Sequence, residues 1–172
     1  TLIANGTPAG VERLLGKHVS FSHVPIVRKV ELRADVAALA ILWRIFRSEK
    51  FHCVHSITPK AGLLSMLAAR LAGVPRRLHT FTGQVWATES GPSRWLLKSL
   101  DKLLARCATK VLADSASQQI FLIENGVVEP HEVTVLADGS IAGVDTQRFQ
   151  YSAEARVQIR TQLSIPGDAV VI

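Results

Sequence analysis

The hydrophobic positions of this chain form short apolar runs that alternate with segments of helical periodicity. Within residues 32–49, apolar residues recur at intervals of three and four, which predicts an amphipathic helix. Its apolar positions are Leu32, Val36, Leu39, Trp43 and Phe46. The same pattern predicts strands at 1–4, 19–24, 51–55, 77–81, 110–113 and 133–136, and helices at 60–71, 93–107 and 152–163. A further helix is predicted between a cap at Ser115 or Ser117 and a stop at Asn125-Gly126.

This alternation of strands and helices predicts the topology of the sheet. Strands joined by helices run parallel with right-handed crossovers, so we expect an α/β domain with a Rossmann-like, doubly wound and mostly parallel sheet. Ligands of such sheets bind outside the carboxyl ends of the strands. Candidate chemistry is therefore expected in the loops that follow strands, at residues 56–60, 82–86, 114–118 and 138–143.

The composition is that of a globular domain with a basic surface. Of the 172 residues, 48% are hydrophobic and 20% charged, which is enough for one domain with a core. The net charge of +6 favours anionic partners: nucleic acid, phosphorylated substrates or lipid headgroups. No apolar run reaches the roughly 20 residues that span a bilayer. Cys53 and Cys107 are expected to be buried thiols, and the histidines lack ligand spacing, so neither a metal nor a cofactor is expected.

Both ends of the chain suggest a piece of a longer protein. The first residue is Thr1, and residues 169–172 have the apolar character of a strand that is just beginning. We therefore expect an ordered fragment in which residues 145–168 connect two domains.

Four motifs, each just past a predicted strand, resemble family-4 glycosyltransferases of the GT-B fold. They are His55-Ser56-Ile57-Thr58-Pro59-Lys60-Ala61-Gly62, Leu78-His79-Thr80-Phe81-Thr82-Gly83, Ala113-Asp114-Ser115 and Gly139-Ser140-Ile141-Ala142-Gly143-Val144-Asp145-Thr146-Gln147-Arg148-Phe149. The last motif is the most specific, because a glycine-bearing loop leads into Gly-Val-Asp and then Arg-Phe. The resemblance covers residues 50–150 and is greatest to enzymes that build capsular, O-antigen or other lipid-linked surface glycans.

The resemblance implies a hexosyltransferase that moves a sugar from a nucleotide diphosphate sugar to a glycan or polyprenyl-linked acceptor, with retention and without a metal. Residues 1–150 would form its Rossmann-like acceptor-side domain, lacking the first strand. Residues 151–172 would begin the connection to an absent donor-binding domain. Catalytic residues are therefore left unassigned, and the fragment alone is expected to be inactive. The implied location is cytoplasmic, as a peripheral protein on the inner face of the membrane.

The candidate acceptor-binding residues lie in the loops that carry the motifs. They are Thr58, Lys60, Thr82, Gly83, Gln84, Glu89, Asp114, Ser115, Gly139, Ser140 and Gly143. The glycines would let a phosphate or sugar approach the backbone, or they only permit tight turns. Many relatives carry a histidine where this chain has Thr82, whose hydroxyl can form hydrogen bonds but is no acid or base near neutral pH.

Each polar candidate also has a purely structural interpretation. Lys60 would neutralise an anionic acceptor or remain solvated. Asp114-Ser115 would contact a ligand or cap a helix. Glu89 would contact an acceptor hydroxyl or remain an exposed loop residue. His79, within a strand, is expected to be a core or interface residue and not a catalyst.

The predicted helix 93–107 has two faces. At about 100° per residue, one arc holds Leu96, Leu97, Leu100, Leu103, Leu104 and Cys107, and the other holds Arg94, Trp95, Lys98, Lys102 and Arg106. Tryptophan among basic residues is typical of contact with an anionic membrane surface, so these five form the candidate membrane-facing group. The alternative is that Trp95 packs against the preceding loop.

Other functions are weighed against the glycosyltransferase. A nucleic-acid-binding or anionic-surface-binding module needs aromatics among basic residues; only the Trp95 helix has them, and no nucleic-acid partner is expected. A sugar-nucleotide epimerase of the same fold is disfavoured by the Gly-Val-Asp and Arg-Phe motif. A nicotinamide-dependent dehydrogenase is disfavoured because no G-x-G-x-x-G follows a strand.

Overall fold

A computed structural model describes residues 1–6, 9, 19–27, 29–140 and 143–171. They fall into two units, Thr1–Gly139 and Ser140–Ile172. The strands of the first unit are β1 (Leu2–Ala4), β2 (Phe21–His23), β3 (Cys53–Ser56), β4 (Arg76–Phe81), β5 (Lys110–Ala113) and β6 (Val133–Val135). Its helices are α1 (Leu32–Glu49), α2 (Pro59–Leu71), α3 (Gly91–Cys107) and α4 (Ala116–Glu124), with a 3-10 turn at Val85–Ala87. The second unit contains α5 (Ala153–Gln162).

The strands pair in parallel and follow chain order. β3, β4, β5 and β6 are neighbours in sequence, and β1 pairs with β2 in a separate two-stranded sheet. Right-handed crossovers place α2, α3 and α4 on one face of the four-stranded sheet, and α2 packs against both α1 and α3. The prediction of an α/β fold with parallel strands is confirmed.

A small cavity lies between residues of the two sheets. Its volume is about 150 Å³, and its lining includes residues 1–3 and residues 53–55. No strand of one sheet pairs with a strand of the other among the described residues. α1 connects β2 to β3 and packs against α2.

Local sequence explains where α2 begins and ends. Pro59 occupies the first turn, where its missing N–H costs nothing, after the extended residue Thr58. Past the helix, Gly73 adopts a φ of +76°, which a glycine reaches without strain. Val74 then donates its backbone N–H to the carbonyl oxygen of Ala69 at 2.9 Å, which closes the C-terminal turn.

α1 packs through an arc that overlaps the predicted face only at Leu39 and Phe46. The residues buried between α1 and α2 are Ala38, Leu42, Phe46, Ala68 and Ala69. By contrast, Leu32 is 77% exposed, Val36 is 57% exposed, and Trp43 also faces solvent. The helix carries apolar residues on two arcs, and the arc containing Ala38 is buried because small side chains let two helices approach closely.

The second core cluster lies between the four-stranded sheet and the helices α2, α3 and α4. Its largest buried side chains are Trp86, Phe81, Met66, Leu104 and Leu122. Cys107 is buried in this cluster, whereas Cys53 is exposed, so the prediction of two buried thiols is wrong for Cys53. Cys53 is the first residue of β3 and lies at the surface end of that strand; both thiols are free.

Two smaller expectations also need correction. Ser115, not Ser117, caps α4, since its Oγ accepts the backbone N–H of Gln118 at 3.1 Å. Residues 169–171 carry no strand, because none of the described strands pairs with them, and Ile172 lies outside the described residues.

Candidate functional site

The carboxyl edge of the four-stranded sheet brings the predicted loops together. The last residues in register across β4, β5 and β6 are Phe81, Ala113 and Val135. The loops that follow therefore start side by side at Thr82, Asp114 and Leu136. Thr58 follows β3 at the same edge and is exposed.

Gly139 touches the loop after β5. A Cβ atom at this position would lie 2.5 Å from the carbonyl oxygen of Asp114 and 3.2 Å from Cα of Ser115. Its φ of +92° also favours glycine, and its N–H donates to the carbonyl oxygen of Leu136 at 2.9 Å. The structure thus joins three predicted site residues through a close backbone contact that requires a glycine.

Gly83 has a different environment. It is exposed with a φ of +154°, and a Cβ atom there would meet no atom within 4 Å. The backbone at Thr82-Gly83 is therefore open to a ligand. The neighbouring Gln84 accepts a hydrogen bond from the side-chain amide of Gln118, which ties this loop to α4.

Trp86 anchors the same loop, and the sequence analysis missed it. Its side chain is 1% exposed, and Nε1 donates to Oδ2 of Asp101 on α3 at 2.7 Å. Its ring stacks on Phe121 of α4 with centroids 5.2 Å apart. Burial raises the pKa of Asp101, and the hydrogen bond from Trp86 partly offsets that rise. The sequence held one signal of this contact: a single carboxylate, Asp101, lies among the apolar residues on the core face of α3.

Arg94 and Lys98 both lie near the Trp86 ring, and their contact with a membrane stays a prediction. The Arg94 guanidinium lies 5.0 Å from the centroid of the Trp86 ring and the Lys98 ammonium 5.6 Å from it. Arg94 also donates to the carbonyl oxygens of Trp86 and Ala87 at 2.9 and 3.0 Å. Burial, followed by the charges of Lys102 and Arg94, lowers the pKa of Lys98. The aromatic ring attracts both cations.

The outer face of α3 is more apolar than predicted. Leu96 and Leu103 are exposed although they belong to the predicted leucine arc, because α3 packs through Leu97, Asp101, Leu104 and Cys107. Trp95 is 71% exposed, which contradicts packing against the preceding loop. Lys102 and Arg106 share this outer face, whose contact with a membrane stays a prediction.

Lys60 makes its contacts within the domain. These contacts do not support its predicted role as an acceptor-binding cation. Its Nζ lies 2.6 Å from Oδ1 of Asp35 on α1. It also donates to the carbonyl oxygens of Val27, at 2.8 Å, and Lys29. The first turns of α1 and α2 are adjacent, and Lys60 joins them.

The buried histidine fills a structural position, as predicted. His79 is fully buried, and its Nδ1 is 2.8 Å from the Ser56 hydroxyl. Burial first, and the charge of His55 second, lower the pKa of His79 to about 4. A Cβ atom on Gly62 would lie 2.6 Å from the His79 ring, so β4 and α2 approach closely there. Because the His79 side chain is fully buried, it is a core residue of the fold.

The remaining candidates are Glu89, Ser140 and Gly143. Glu89 is exposed and accepts a hydrogen bond from Ser93 at 3.4 Å. Ser140 and Gly143 belong to the second unit, and Ile141 and Ala142 of the same motif lie outside the described residues. Asp145 of that motif accepts the backbone N–H groups of Gln147 and Arg148 at 3.1 and 3.0 Å, which gives it a local turn-forming role.

Asn5 and Gly6 follow β1 and are both exposed, and the Asn5 side-chain amide donates to the carbonyl oxygen of Ile26 at 3.2 Å. Among the described residues, no group of three or more histidine, cysteine or acidic side chains could hold a metal. None of the helices described is long and apolar enough to cross a membrane.

Comparison with known protein families gives a match for the first unit. Residues 1–139 match the family described as "Glycosyl transferase 4-like domain". The chain belongs to this glycosyltransferase family. The match covers the whole first unit, including the loops at the carboxyl edge of the sheet.

Two curated glycosyltransferases are similar in sequence. The capsular polysaccharide biosynthesis glycosyltransferase CapM of Staphylococcus aureus is 32% identical over 74% of this chain and 33% of its own length. The UDP-Gal:alpha-D-GlcNAc-diphosphoundecaprenol alpha-1,3-galactosyltransferase of Escherichia coli is 30% identical over 72% of this chain and 31% of its own length. The chain thus spans about a third of these glycosyltransferases.

A solved structure supports the fold. HepE of Anabaena in complex with UDP has a TM-score of 0.58 and 15% identity, and the match covers 91% of this chain and 39% of that one. Membership of the glycosyltransferase family favours the main hypothesis over the epimerase and the nucleic-acid-binding module.

Proposed function

We propose that this chain is the acceptor-side part of a glycosyltransferase of bacterial surface-polysaccharide biosynthesis. Residues 1–150 hold the acceptor, and 151–172 lead to a second domain that binds a nucleotide diphosphate sugar. The acceptor is a glycan carried on a polyprenyl diphosphate. The observation that carries the proposal is the junction of Thr82-Gly83 with Asp114, Ser115 and Gly139 at one sheet edge, in a domain similar to a transferase whose name specifies a diphosphoundecaprenol acceptor.

The chemistry of this edge suits a sugar diphosphate. The open backbone at Gly83 allows an oxygen of the acceptor to approach closely, and the Thr82 hydroxyl can hydrogen-bond to it. α4 begins at the same edge, where the partial positive charge of its N-terminal turn favours a phosphate. Asp114 can accept a hydrogen bond from a sugar hydroxyl. These residues bind and orient the acceptor; the groups that stabilise the departing nucleotide, and a retaining outcome, belong to the second domain.

The same proposal includes peripheral membrane attachment on the cytoplasmic side, through α3. Trp95, Leu96 and Leu103 present apolar surface, and Lys102 and Arg106 can neutralise anionic headgroups. Such a contact would bring a lipid-linked acceptor to the carboxyl edge of the sheet.

A substitution in the exposed loop tests the acceptor site. In the full-length protein, Thr82→Ala should lower kcat/KM for labelled sugar transfer to a polyprenyl diphosphate acceptor about tenfold, the worth of one lost hydrogen bond. Thr88→Ala, an exposed threonine of the same loop, is the matched control and should stay within about twofold. Equal activities of the two variants would refute the role of Thr82. Transfer by the isolated 172-residue chain would contradict the division of labour between domains.

A further inference from the structure

Lys60 lies where two elements of the carboxyl edge of the domain meet. It is the second residue of α2 and comes two positions after Thr58, which follows β3 at that edge. Its side chain reaches across to the chain between β2 and α1. This connection spans residues 24–31, of which the structure describes 24–27 and 29–31, and it is called the β2–α1 segment below.

The ammonium group of Lys60 uses all of its hydrogen-bond donors inside the domain. Nζ donates to the carbonyl oxygen of Val27 at 2.8 Å and to that of Lys29, and it lies 2.6 Å from Oδ1 of Asp35. A lysine ammonium has three N–H donors, and these three acceptors match that number. The side chain is also only 23% exposed. Lys60 is therefore suited to hold the β2–α1 segment in place and not to contact a ligand directly.

Other contacts hold the two ends of the β2–α1 segment. Near its start, the side-chain amide of Asn5 donates to the carbonyl oxygen of Ile26 at 3.2 Å. At its end, the backbone N–H of Glu31 donates to Oδ2 of Asp35 at 3.2 Å. The two bonds from Lys60 lie between these points, so the loss of the ammonium would release the middle of the segment while its ends stay attached.

The outer side of the β2–α1 segment is open and lies at the edge that carries the acceptor loops. Lys29 and Val30 are exposed, Val30 to 86%. The segment is held within reach of one lysine side chain from the first turn of α2, beside Thr58. β3 pairs with β4 along its whole length, so the loop that contains Thr58 adjoins the Thr82-Gly83 loop. The segment therefore extends this row of loops on the β3 side.

We propose that Lys60 is a positioning residue of the acceptor site and acts by holding the β2–α1 segment as one wall of that site. Its ammonium fixes the carbonyl groups of Val27 and Lys29, so the wall is ordered before the acceptor arrives. An ordered wall spares the acceptor the free energy of ordering it on binding. The inference rests on the proposed function for the reaction and goes beyond it in giving Lys60 and this segment a role.

Steady-state kinetics of the full-length protein test the role of Lys60. The assay is transfer of a labelled sugar to a polyprenyl diphosphate acceptor. Lys60→Met removes the ammonium and keeps an unbranched side chain; it should raise KM for the acceptor about tenfold and leave kcat within about twofold. The matched control is Lys110→Met, an exposed lysine at the start of β5, which should keep the KM of the parent protein. Equal KM values for the two variants would overturn the inference.

A second variant separates positioning from direct contact with the acceptor. Asp35→Asn weakens the ion pair that holds Lys60, so it should also raise KM for the acceptor. Because both residues act through the same segment, the double variant should raise KM no further than Lys60→Met alone. A lysine that bound the acceptor phosphate directly would be freed by Asp35→Asn, and KM would then fall or stay the same. That result would overturn the positioning role.

Amide hydrogen exchange in the absence of acceptor reports on the segment itself. Exchange within residues 24–31 should be faster in Lys60→Met than in the parent protein or Lys110→Met, while residues 63–71 of α2 keep the exchange of the parent. Faster exchange throughout the domain with an unchanged KM would give Lys60 a structural role alone and overturn the inference. Absence of transfer by the parent protein would refute the proposed function, and the exchange result would still decide whether Lys60 holds the segment.

Discussion

The indole nitrogen of Trp86 donates a hydrogen bond to the buried carboxylate of Asp101 across 2.7 Å. The two residues come from different elements, the loop after β4 and the helix α3, and their bond holds the exposed Thr82-Gly83 backbone against the body of the domain. Arg94 closes the same loop from the other side through the carbonyl oxygens of Trp86 and Ala87. The exposed Thr82-Gly83 loop is thus fixed by buried contacts that begin three residues beyond Gly83.

Asp101→Ala should destabilise the domain, whereas Asp101→Asn should not. Alanine leaves the Trp86 N–H buried without an acceptor, at a cost of about 1–3 kcal/mol. Asparagine retains an acceptor oxygen and buries no charge. Urea denaturation at neutral pH measures both free energies of unfolding; a larger loss for asparagine than for alanine would contradict this account.

The stability of the domain should depend on pH through Asp101. Because burial raises the pKa of Asp101 above that of the unfolded chain, the stability linked to this group is present at low pH and declines as pH rises through the raised pKa. Asp101→Asn removes the titration. The difference in free energy of unfolding between Asp101→Asn and the parent protein should therefore shift in favour of the variant as pH rises from acid to neutral. The shift should occur just above the ordinary carboxyl pKa.

Gly139→Ala should lower the free energy of unfolding by about 2 kcal/mol or more. The new Cβ atom would overlap the Asp114 carbonyl, and the residue would keep a positive φ. Gly143→Ala is the matched control, because a Cβ atom there meets nothing within 4 Å. It should change stability by less than about 0.5 kcal/mol. Thermal or urea unfolding of both variants gives the comparison, and similar losses would show that the Gly139 contact is not tight in solution.

Lys60 and Asp35 should show a coupling free energy of about 0.5–3 kcal/mol in a double-mutant cycle built from Lys60→Met and Asp35→Asn. The physical reason is the ion pair that joins the first turns of α1 and α2. The alternative role, binding of the acceptor phosphate, predicts a different result. Lys60→Met would then raise KM for the acceptor in the full-length protein without changing stability.

His79 should make the domain sensitive to mild acid. Its pKa is about 4 in the fold against 6.5 in the unfolded chain, so the unfolded state takes up the proton first as pH falls below 6.5. The stability present above that pH should decrease by about 3 kcal/mol in total by pH 4. His79→Gln should lower stability at neutral pH but abolish this dependence, while His131→Gln, on the surface, should retain it. Denaturation curves between pH 7 and pH 4 make the test.

The sequence by itself determined the order of strands and helices, the loops at the carboxyl edge and the family. These features depend on local patterns: apolar runs, helical periodicity, and glycines or prolines at turns such as Pro59 and Gly73. Even the structural role of His79 followed from its place inside a strand.

Only the tertiary structure decided which faces of the helices are buried and which polar groups pair. Leu32, Val36 and Leu96 have core-like periodicity, yet they are exposed, because a helix with two apolar arcs is buried on the one that fits its neighbour. Likewise, the partners of Lys60 and Trp86 lie 25 and 15 residues away in sequence. Such contacts depend on how separate elements meet in space, and no local pattern contains that information.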